Sequence, residues 1–131
     1  MRDLIVAAVL AAAIPMAYGS SALVPQVSRE GAVTVKVTPG KLAPAAATWD
    51  FEIVFDTHTA ALTGDPAQFA VLVDAQGRRY APLRWDGDPP GGHHRKGMLL
   101  FRVPDGRNGT IELRLNGVGG VATRSFQWDV R

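Results

Sequence analysis

The sequence predicts an all-β fold, an antiparallel β-sandwich of about seven strands, from two observations. Apolar and polar residues alternate in seven segments, and side chains on a strand point to opposite faces with a period of two. Glycine, proline, asparagine and aspartate separate these segments at short intervals, and no segment has the pattern of a long helix. Because each strand must bury one face, this pattern predicts two packed sheets of immunoglobulin-like type. The chain has no cysteine, so the antibody disulfide is absent and only the architecture is predicted.

The clearest strand is the segment W-D-F-E-I-V-F-D-T-H at residues 49–58. Its inward positions are expected to hold Trp49, Phe51, Ile53 and Phe55. Three aromatic side chains and one β-branched side chain on a single face predict a central strand. At its polar end, Asp56 and His58 are two residues apart and are therefore expected on the same, outward face.

Six further strands complete the predicted sandwich. They are expected at residues 33–38, 69–74, 79–85, 98–103, 110–116 and 121–130. In the third of these, the alternation predicts that Leu83 and Trp85 face inward. Asn108-Gly109 fits the residue preference of a two-residue hairpin turn.

The connections between strands carry signals of their own. Asp65 as N-cap and Pro66 at the first helical position predict a short helix. Gly77 supplies the positive φ that a tight turn at this point needs. Residues 86–97, D-G-D-P-P-G-G-H-H-R-K-G, form the longest irregular stretch. Loops of this length in a compact domain are usually functional or mobile, so this one is a candidate site.

Residues 1–22 have the layout of a signal peptide. An apolar run at 4–14 follows a short charged start, and small residues at 17–22 offer two cleavage sites. The run is about half the roughly 20 residues of a membrane-spanning helix, so no transmembrane anchor is expected after cleavage. We therefore expect an exported protein, periplasmic or extracellular, with an N-terminal tail at 23–32 and one domain at 33–131.

The charge of the chain restricts the partners that it could bind. The formal net charge is +2 and the sequence pI is about 9.4, with eleven arginines against three lysines. The arginines form no run longer than two and the aromatic residues occupy core-facing positions, so no nucleic-acid surface is expected. A generally basic surface suits an acidic protein or a component of the cell envelope.

The three histidines lie outside the core pattern and suggest a metal site. His58 follows Asp56 at the end of the central strand, and His93 and His94 lie in the 86–97 loop. Imidazoles combined with a carboxylate suit Zn(II) or Cu(II). Adjacent residues in an extended segment point in opposite directions, so only one of His93 and His94 is expected to join His58 unless the backbone turns. The predicted site has two histidines, one aspartate and an open coordination position.

Two other hypotheses use the same segment without a metal. In one, the protein is a non-catalytic protein–protein or cell-envelope interaction domain, and charges such as Arg95 and Lys96 contact an acidic partner. In the other, the histidines only hold the fold, and His58 makes a buried hydrogen bond. An enzyme is not expected, because the chain has neither a cysteine nucleophile nor a G-x-S-x-G motif.

Three motifs together resemble a group of small exported prokaryotic proteins. They are D-T-H at 56–58, W-D-G-D-P-P-G-G-H-H-R-K-G at 85–97 and N-G-V-G-G-V at 116–121. The resemblance extends over residues 33–130 and implies a secreted single β-sandwich in which the D-T-H and G-G-H-H-R segments go together. It implies no catalytic residues.

The chain is also similar, more loosely, to the CopC-like periplasmic copper carriers. The likeness lies in size, export and the use of histidine and aspartate on a cysteine-free sandwich, and it implies copper binding. The sequence lacks two features of those carriers. Neither predicted cleavage leaves an N-terminal histidine, and no methionine-rich stretch is present, since Met98 is the only methionine of the predicted domain.

Overall fold

The computed structural model describes residues 23–130, which form nine strands and one short helix. The predicted signal peptide at 1–22 and residue Arg131 lie outside the described residues. In chain order the strands are β1 Gln26–Ser28, β2 Val33–Pro39, β3 Thr48–Thr57, β4 Ala70–Val73, β5 Arg79–Tyr80, β6 Arg84–Gly87, β7 His94–Arg102, β8 Gly109–Val118 and β9 Val121–Val130. The helix, α1, spans Pro66–Phe69.

The strands form two sheets in which all neighbours are antiparallel. The first sheet has the order β1-β2-β3-β7-β6 and the second has the order β5-β4-β8-β9. The predicted all-β sandwich is therefore confirmed, and β3 is the central strand of the first sheet as predicted. The sheet order alone does not assign the immunoglobulin-like form, which stays a prediction.

The core lies between the sheets and is centred on the inward face of β3. The four inward side chains of that strand are at most 2% exposed: Trp49, Phe51, Ile53 and Phe55. Phe51 packs against Phe101 of β7, with ring centroids 5.8 Å apart, and against Trp128 of β9 at 5.5 Å. Since β9 belongs to the other sheet, the contact with Trp128 joins the two sheets through buried aromatic surface.

The predicted helix and turn are both present. The Asp65 side chain accepts a hydrogen bond from the Ala67 N–H at 2.9 Å and caps α1, and Pro66 occupies the first turn. Gly77 has φ of 84° in the turn between β4 and β5. With only four residues in α1, the described part of the chain contains no helix long and apolar enough to span a membrane.

The predicted strand at 79–85 is wrong as a single element. It divides into β5 in the second sheet and β6 in the first. Pro82, which has no N–H to donate, lies between them, so the chain leaves one sheet there and enters the other. Leu83 is 54% exposed and does not face inward, because its backbone only begins the return to the first sheet.

The turns on either side of β7 also differ from the prediction. Asn108-Gly109 does not close a hairpin, because β7 and β8 lie in different sheets and the intervening segment crosses between them. The irregular stretch predicted at 86–97 is shorter than expected, since β6 extends to Gly87 and β7 already begins at His94. Gly87 and Gly97 are paired across these strands.

This glycine pair has a steric reason. A Cβ placed on Gly97 would lie 2.6 Å from Gly87 Cα and 2.6 Å from Trp85 Cζ2, closer than any real contact. The Trp85 ring therefore lies over the paired strands only because both positions lack a side chain. Glycines that suggest a flexible loop in the sequence are in fact positions of close approach within a sheet.

The segment described above as a tail is part of the sandwich. Residues 26–28 form β1 and pair with β2. Trp128 Nε1 donates to the Val24 carbonyl at 2.8 Å, and the buried Arg124 donates through Nη1 to Ser28 Oγ at 3.0 Å. The segment therefore links the edges of both sheets, which corrects the assignment of residues 23–32 as a tail. These links involve single side chains far apart in sequence, so no local pattern predicts them.

A buried carboxylate fixes the end of the sandwich at β5. Asp74 accepts hydrogen bonds from the backbone N–H groups of Gln76, Arg78 and Gly106 and from the Tyr80 hydroxyl, at 2.8–3.1 Å. Burial acts to raise the pKa of Asp74, but these four hydrogen bonds outweigh it and hold the pKa below its usual value of 3.8. Asp74 thereby joins the β4–β5 turn to the segment that follows β7.

We expect the substitution Asp74→Ala to lower the free energy of unfolding by about 3 kcal/mol at pH 7, because buried donors lose their acceptor. The lowered pKa means that the carboxylate stabilises the fold above the unfolded-state pKa and that this stability is lost as the pH falls through the folded-state pKa. Urea unfolding at pH 7 and at pH 3 measures both effects.

The matched control is Tyr80→Phe, which removes one of the four donors and leaves the carboxylate. It should destabilise less than Asp74→Ala at pH 7 and keep the loss of stability in acid. An unfolding free energy of Asp74→Ala equal to that of the wild type at pH 7 would contradict this account.

Candidate functional site

The predicted metal ligands lie where β3 ends and β7 begins. Asp56 and His94 are directly opposite each other in the β3–β7 register. The Nδ1 atom of His94 lies 2.6 Å from Oδ1 of Asp56, to which Nδ1–H donates. The two side chains are 60% and 54% exposed, so this bond lies at the surface and adds little to stability.

The other two histidines border a groove beside this pair. We call this groove, of about 540 Å³, the histidine groove. It is lined by Asp56, His58 and His93, by two threonines of β2 and β3, and by Gly31 and Ala32 before β2. His58 is exposed at its rim. The His93 carbonyl accepts from the Thr57 N–H at 3.0 Å, which fixes the start of β7 against the end of β3.

The structure thus brings the four predicted residues to one region without assembling them as ligands. Among residues 23–130, no group of three or more histidine, cysteine, aspartate or glutamate side chains is placed to hold a metal ion. His94 is bonded to Asp56, while His58 and His93 line the groove. Binding of Zn(II) or Cu(II) at this region stays a prediction, and the hypothesis that His58 makes a buried bond is wrong because His58 is exposed.

Arg95 is the unexpected residue of this region. It is only 3% exposed, so the expectation that it contacts an acidic partner is wrong. Its Nε donates to the Asp88 carbonyl at 3.0 Å, its Nη1 donates to the Gly64 carbonyl at 2.8 Å, and its guanidinium lies 5.5 Å from the centre of the Trp85 ring. Burial lowers the pKa of Arg95, while the charges of Asp65 and Asp88 oppose the shift.

These contacts hold the loop between β3 and α1 in place. Arg95 holds it at Gly64, and the Gly91 N–H donates to the Leu62 carbonyl at 2.7 Å. At the start of the loop the Thr57 hydroxyl accepts from the Ala60 N–H at 2.9 Å. The loop that follows D-T-H is therefore fastened to the G-G-H-H-R segment by an arginine and by backbone groups.

The sequence contains a pattern that predicts the burial of Arg95. The alternation Leu99, Phe101 that defines β7, extended backwards, passes through Gly97 to Arg95 as inward positions. The predicted strand begins only at Met98, because the glycines and charged residues before it are typical of a loop. A charged residue at an inward position of an extended strand is the pattern that indicates a buried arginine.

A second group of arginines lies at the opposite end of the sheets. Arg78, Arg79 and Arg102 surround Tyr80, and we call this group the arginine surface. The Arg102 guanidinium lies 4.8 Å from the centre of the Tyr80 ring. Exposed Leu83 lines the same shallow groove, which measures about 310 Å³.

One carboxylate accompanies these three guanidinium groups. Asp105 lies 3.8 Å from Arg78 Nη1 and 3.6 Å from Arg102 Nη2. All of these side chains are more than half exposed, so the pairs are weak and leave the surface positive. The sequence did not show this group, because Arg79 and Arg102 come from different sheets and no periodicity relates strands across a sandwich.

The sequence matches no protein-family model, and no curated protein and no solved structure is detectably similar to it. The resemblance to small exported prokaryotic proteins and the looser likeness to the CopC-like carriers therefore stay predictions. What the site can do rests on the geometry of the described residues.

The predicted metal site requires that excess Zn(II) or Cu(II) raise the melting temperature of the protein, because a ligand that binds only the folded state stabilises it. A metal held at 100 times its dissociation constant would add about 2.7 kcal/mol, a shift of several degrees for a domain of this size. Thermal unfolding with and without each metal makes the measurement.

The control is the variant His58→Ala, His93→Ala, His94→Ala. Its three side chains are exposed, so without metal it should unfold within about 1 kcal/mol of the wild type. The rise in melting temperature should be absent in this variant, and an unchanged melting temperature of the wild type with both metals would contradict the predicted metal site.

Proposed function

We propose that this protein is an exported, non-catalytic interaction module that binds an acidic protein segment through the arginine surface. The observation that carries the proposal is the clustering of Arg78, Arg79 and Arg102 around one groove, where Asp105 is the single carboxylate among the described lining residues. Two positive charges in excess at one groove attract carboxylates, which guanidinium groups bind in bidentate geometry.

The apolar part of the surface favours a protein partner. Leu83 is 54% exposed beside the arginines, and the Tyr80 ring lies beneath Arg102. Arginine and aromatic residues are enriched at the centres of protein interfaces, where apolar contact and charge recognition coincide. A surface that bound lipid headgroups by charge alone would need neither an exposed leucine nor an aromatic ring.

The contacts within the two regions favour binding of a protein partner at the arginine surface over binding of a metal at the histidine groove. The histidine groove contains two imidazoles and a carboxylate that already accepts from His94. The arginine surface is supported from below by the Asp74 hydrogen bonds, which fix Tyr80 and the turn before Arg78. Export rests on the predicted signal peptide at 1–22.

The test uses poly-L-glutamate as the acidic probe, with binding measured by calorimetry at low salt. Replacing three guanidinium groups by amides in the variant Arg78→Gln, Arg79→Gln, Arg102→Gln should weaken binding by about tenfold or more, since their charges supply the recognition. The affinity of the wild type should fall as salt is added, because exposed charges are screened.

The matched control is Lys36→Gln, Lys41→Gln, Lys96→Gln, which removes the same number of exposed positive charges elsewhere. It should keep most of the wild-type affinity. Equal loss in both variants would show that net charge alone binds the probe and would contradict the proposal. Tighter binding to anionic phospholipid vesicles than to polyglutamate, lost in the arginine variant, would replace the protein partner by a lipid surface.

A further inference from the structure

A cavity of about 200 Å³ lies inside the end of the sandwich that carries the histidines. It is on the inner face of the first sheet, whereas the histidine groove is on the outer face, because Phe55 and Asp56 are consecutive on β3 and point in opposite directions. Its walls are formed by Val33, Phe55, Leu62, Phe69, Val118 and Arg95. The exposed residues Thr63 and Gly64 lie at its rim.

Of the described residues that line this cavity, Arg95 alone carries a charge. The structure pairs two of its five N–H groups with protein acceptors, the carbonyls of Asp88 and Gly64. No ion pair of residues 23–130 includes Arg95, and Asp65 and Asp88 act on it only from beyond contact distance. These two carbonyls leave three N–H groups of Arg95 from which an anion in the cavity can accept, and such an anion would add a direct ion pair to the longer-range attraction of Asp65 and Asp88.

We propose that this cavity binds a small molecule with one carboxylate on an apolar body, with the carboxylate on Arg95. An apolar cavity of about 150 Å³ accommodates benzene, so this one has room for one ring and a carboxylate but not for a long acyl chain. The carboxylate would accept from the remaining guanidinium N–H groups, and the ring would contact Phe55, Phe69 and Val118.

The surroundings of Arg95 fix the direction in which it can bind. Trp85 covers one side of the guanidinium, and the carbonyls of Asp88 and Gly64 hold Nε and Nη1. A side chain restrained at these points loses little entropy on binding a ligand, so its remaining donors are preorganised. Gly64 also belongs to the loop at the rim of the cavity, so the hydrogen bond from Arg95 holds that loop in position.

This inference is independent of the proposed function. The cavity uses none of the residues of the arginine surface. Arg95 and Arg102 are seven residues apart on β7, which corresponds to roughly 23 Å along a strand. A ligand in the cavity and a partner on the arginine surface can therefore be tested separately.

The test uses benzoate as the probe and benzyl alcohol as its uncharged counterpart, in NMR and calorimetric titrations of the purified protein. Benzoate should bind and perturb the resonances of Phe55, Phe69 and Val118, and benzyl alcohol should bind about tenfold more weakly or worse, because it lacks the charge that Arg95 recognises. Arg95→Met should weaken benzoate binding by a similar factor.

A second variant covers the case in which Arg95→Met does not fold. Val118→Phe fills the cavity with an apolar ring and leaves Arg95 in place, so it should abolish benzoate binding while the protein stays folded. The control Arg102→Met should bind benzoate as the wild type does and lose affinity for polyglutamate, which separates a failure of this inference from a failure of the proposed function.

Three results would each overturn the inference. They are the absence of benzoate binding at millimolar concentration, equal affinities for benzoate and benzyl alcohol, and full benzoate affinity in Val118→Phe. Loss of benzoate binding in Arg102→Met, together with full benzoate binding in Arg95→Met, would show that benzoate binds at the arginine surface. This result would also contradict a binding site in the cavity.

Discussion

The register between β3 and β7 is the constraint on which both regions at the histidine end depend. It places Phe55 opposite Arg95 on the inner face and Asp56 opposite His94 on the outer face. Because side chains alternate, a slip of one residue would exchange the two faces. The aromatic side chains of β3 prevent this slip, since it would expose all of them to water. The core that stabilises the fold therefore also fixes the register that buries Arg95 and leaves His94 exposed.

The two ends of the sandwich present charge in different ways. At one end Arg95 is buried against Trp85 and lines a cavity, so its interactions are local and little screened by salt. At the other end the arginines around Tyr80 are exposed, so salt screens their charges and a binding partner must displace the water around them. The first arrangement suits a small ligand and the second suits a macromolecule.

The sequence predicted what depends on local periodicity and local chemistry. The inward face of β3, the Asp65 cap of α1 and the turn at Gly77 each follow from a few neighbouring residues, and each is present in the structure. The contacts missed are those between distant segments, such as Trp128 with Val24. The structure brings the four residues of the predicted site to one end of the sandwich, but the burial of Arg95 could be predicted only by knowing that β7 begins at His94.

Two of the eleven arginines have structural roles that lysine cannot fill. Arg95 and Arg124 each donate to carbonyls of two different segments, which needs a planar group with several fixed donors, and a lysine ammonium cannot reproduce that geometry. Both are almost fully buried, so they add to the pI of about 9.4 without adding to the charge of the surface. A high pI in this chain therefore reflects internal architecture as much as attraction for a partner. Within residues 23–130, the exposed cluster around Tyr80 concentrates positive charge where an acidic partner could reach it.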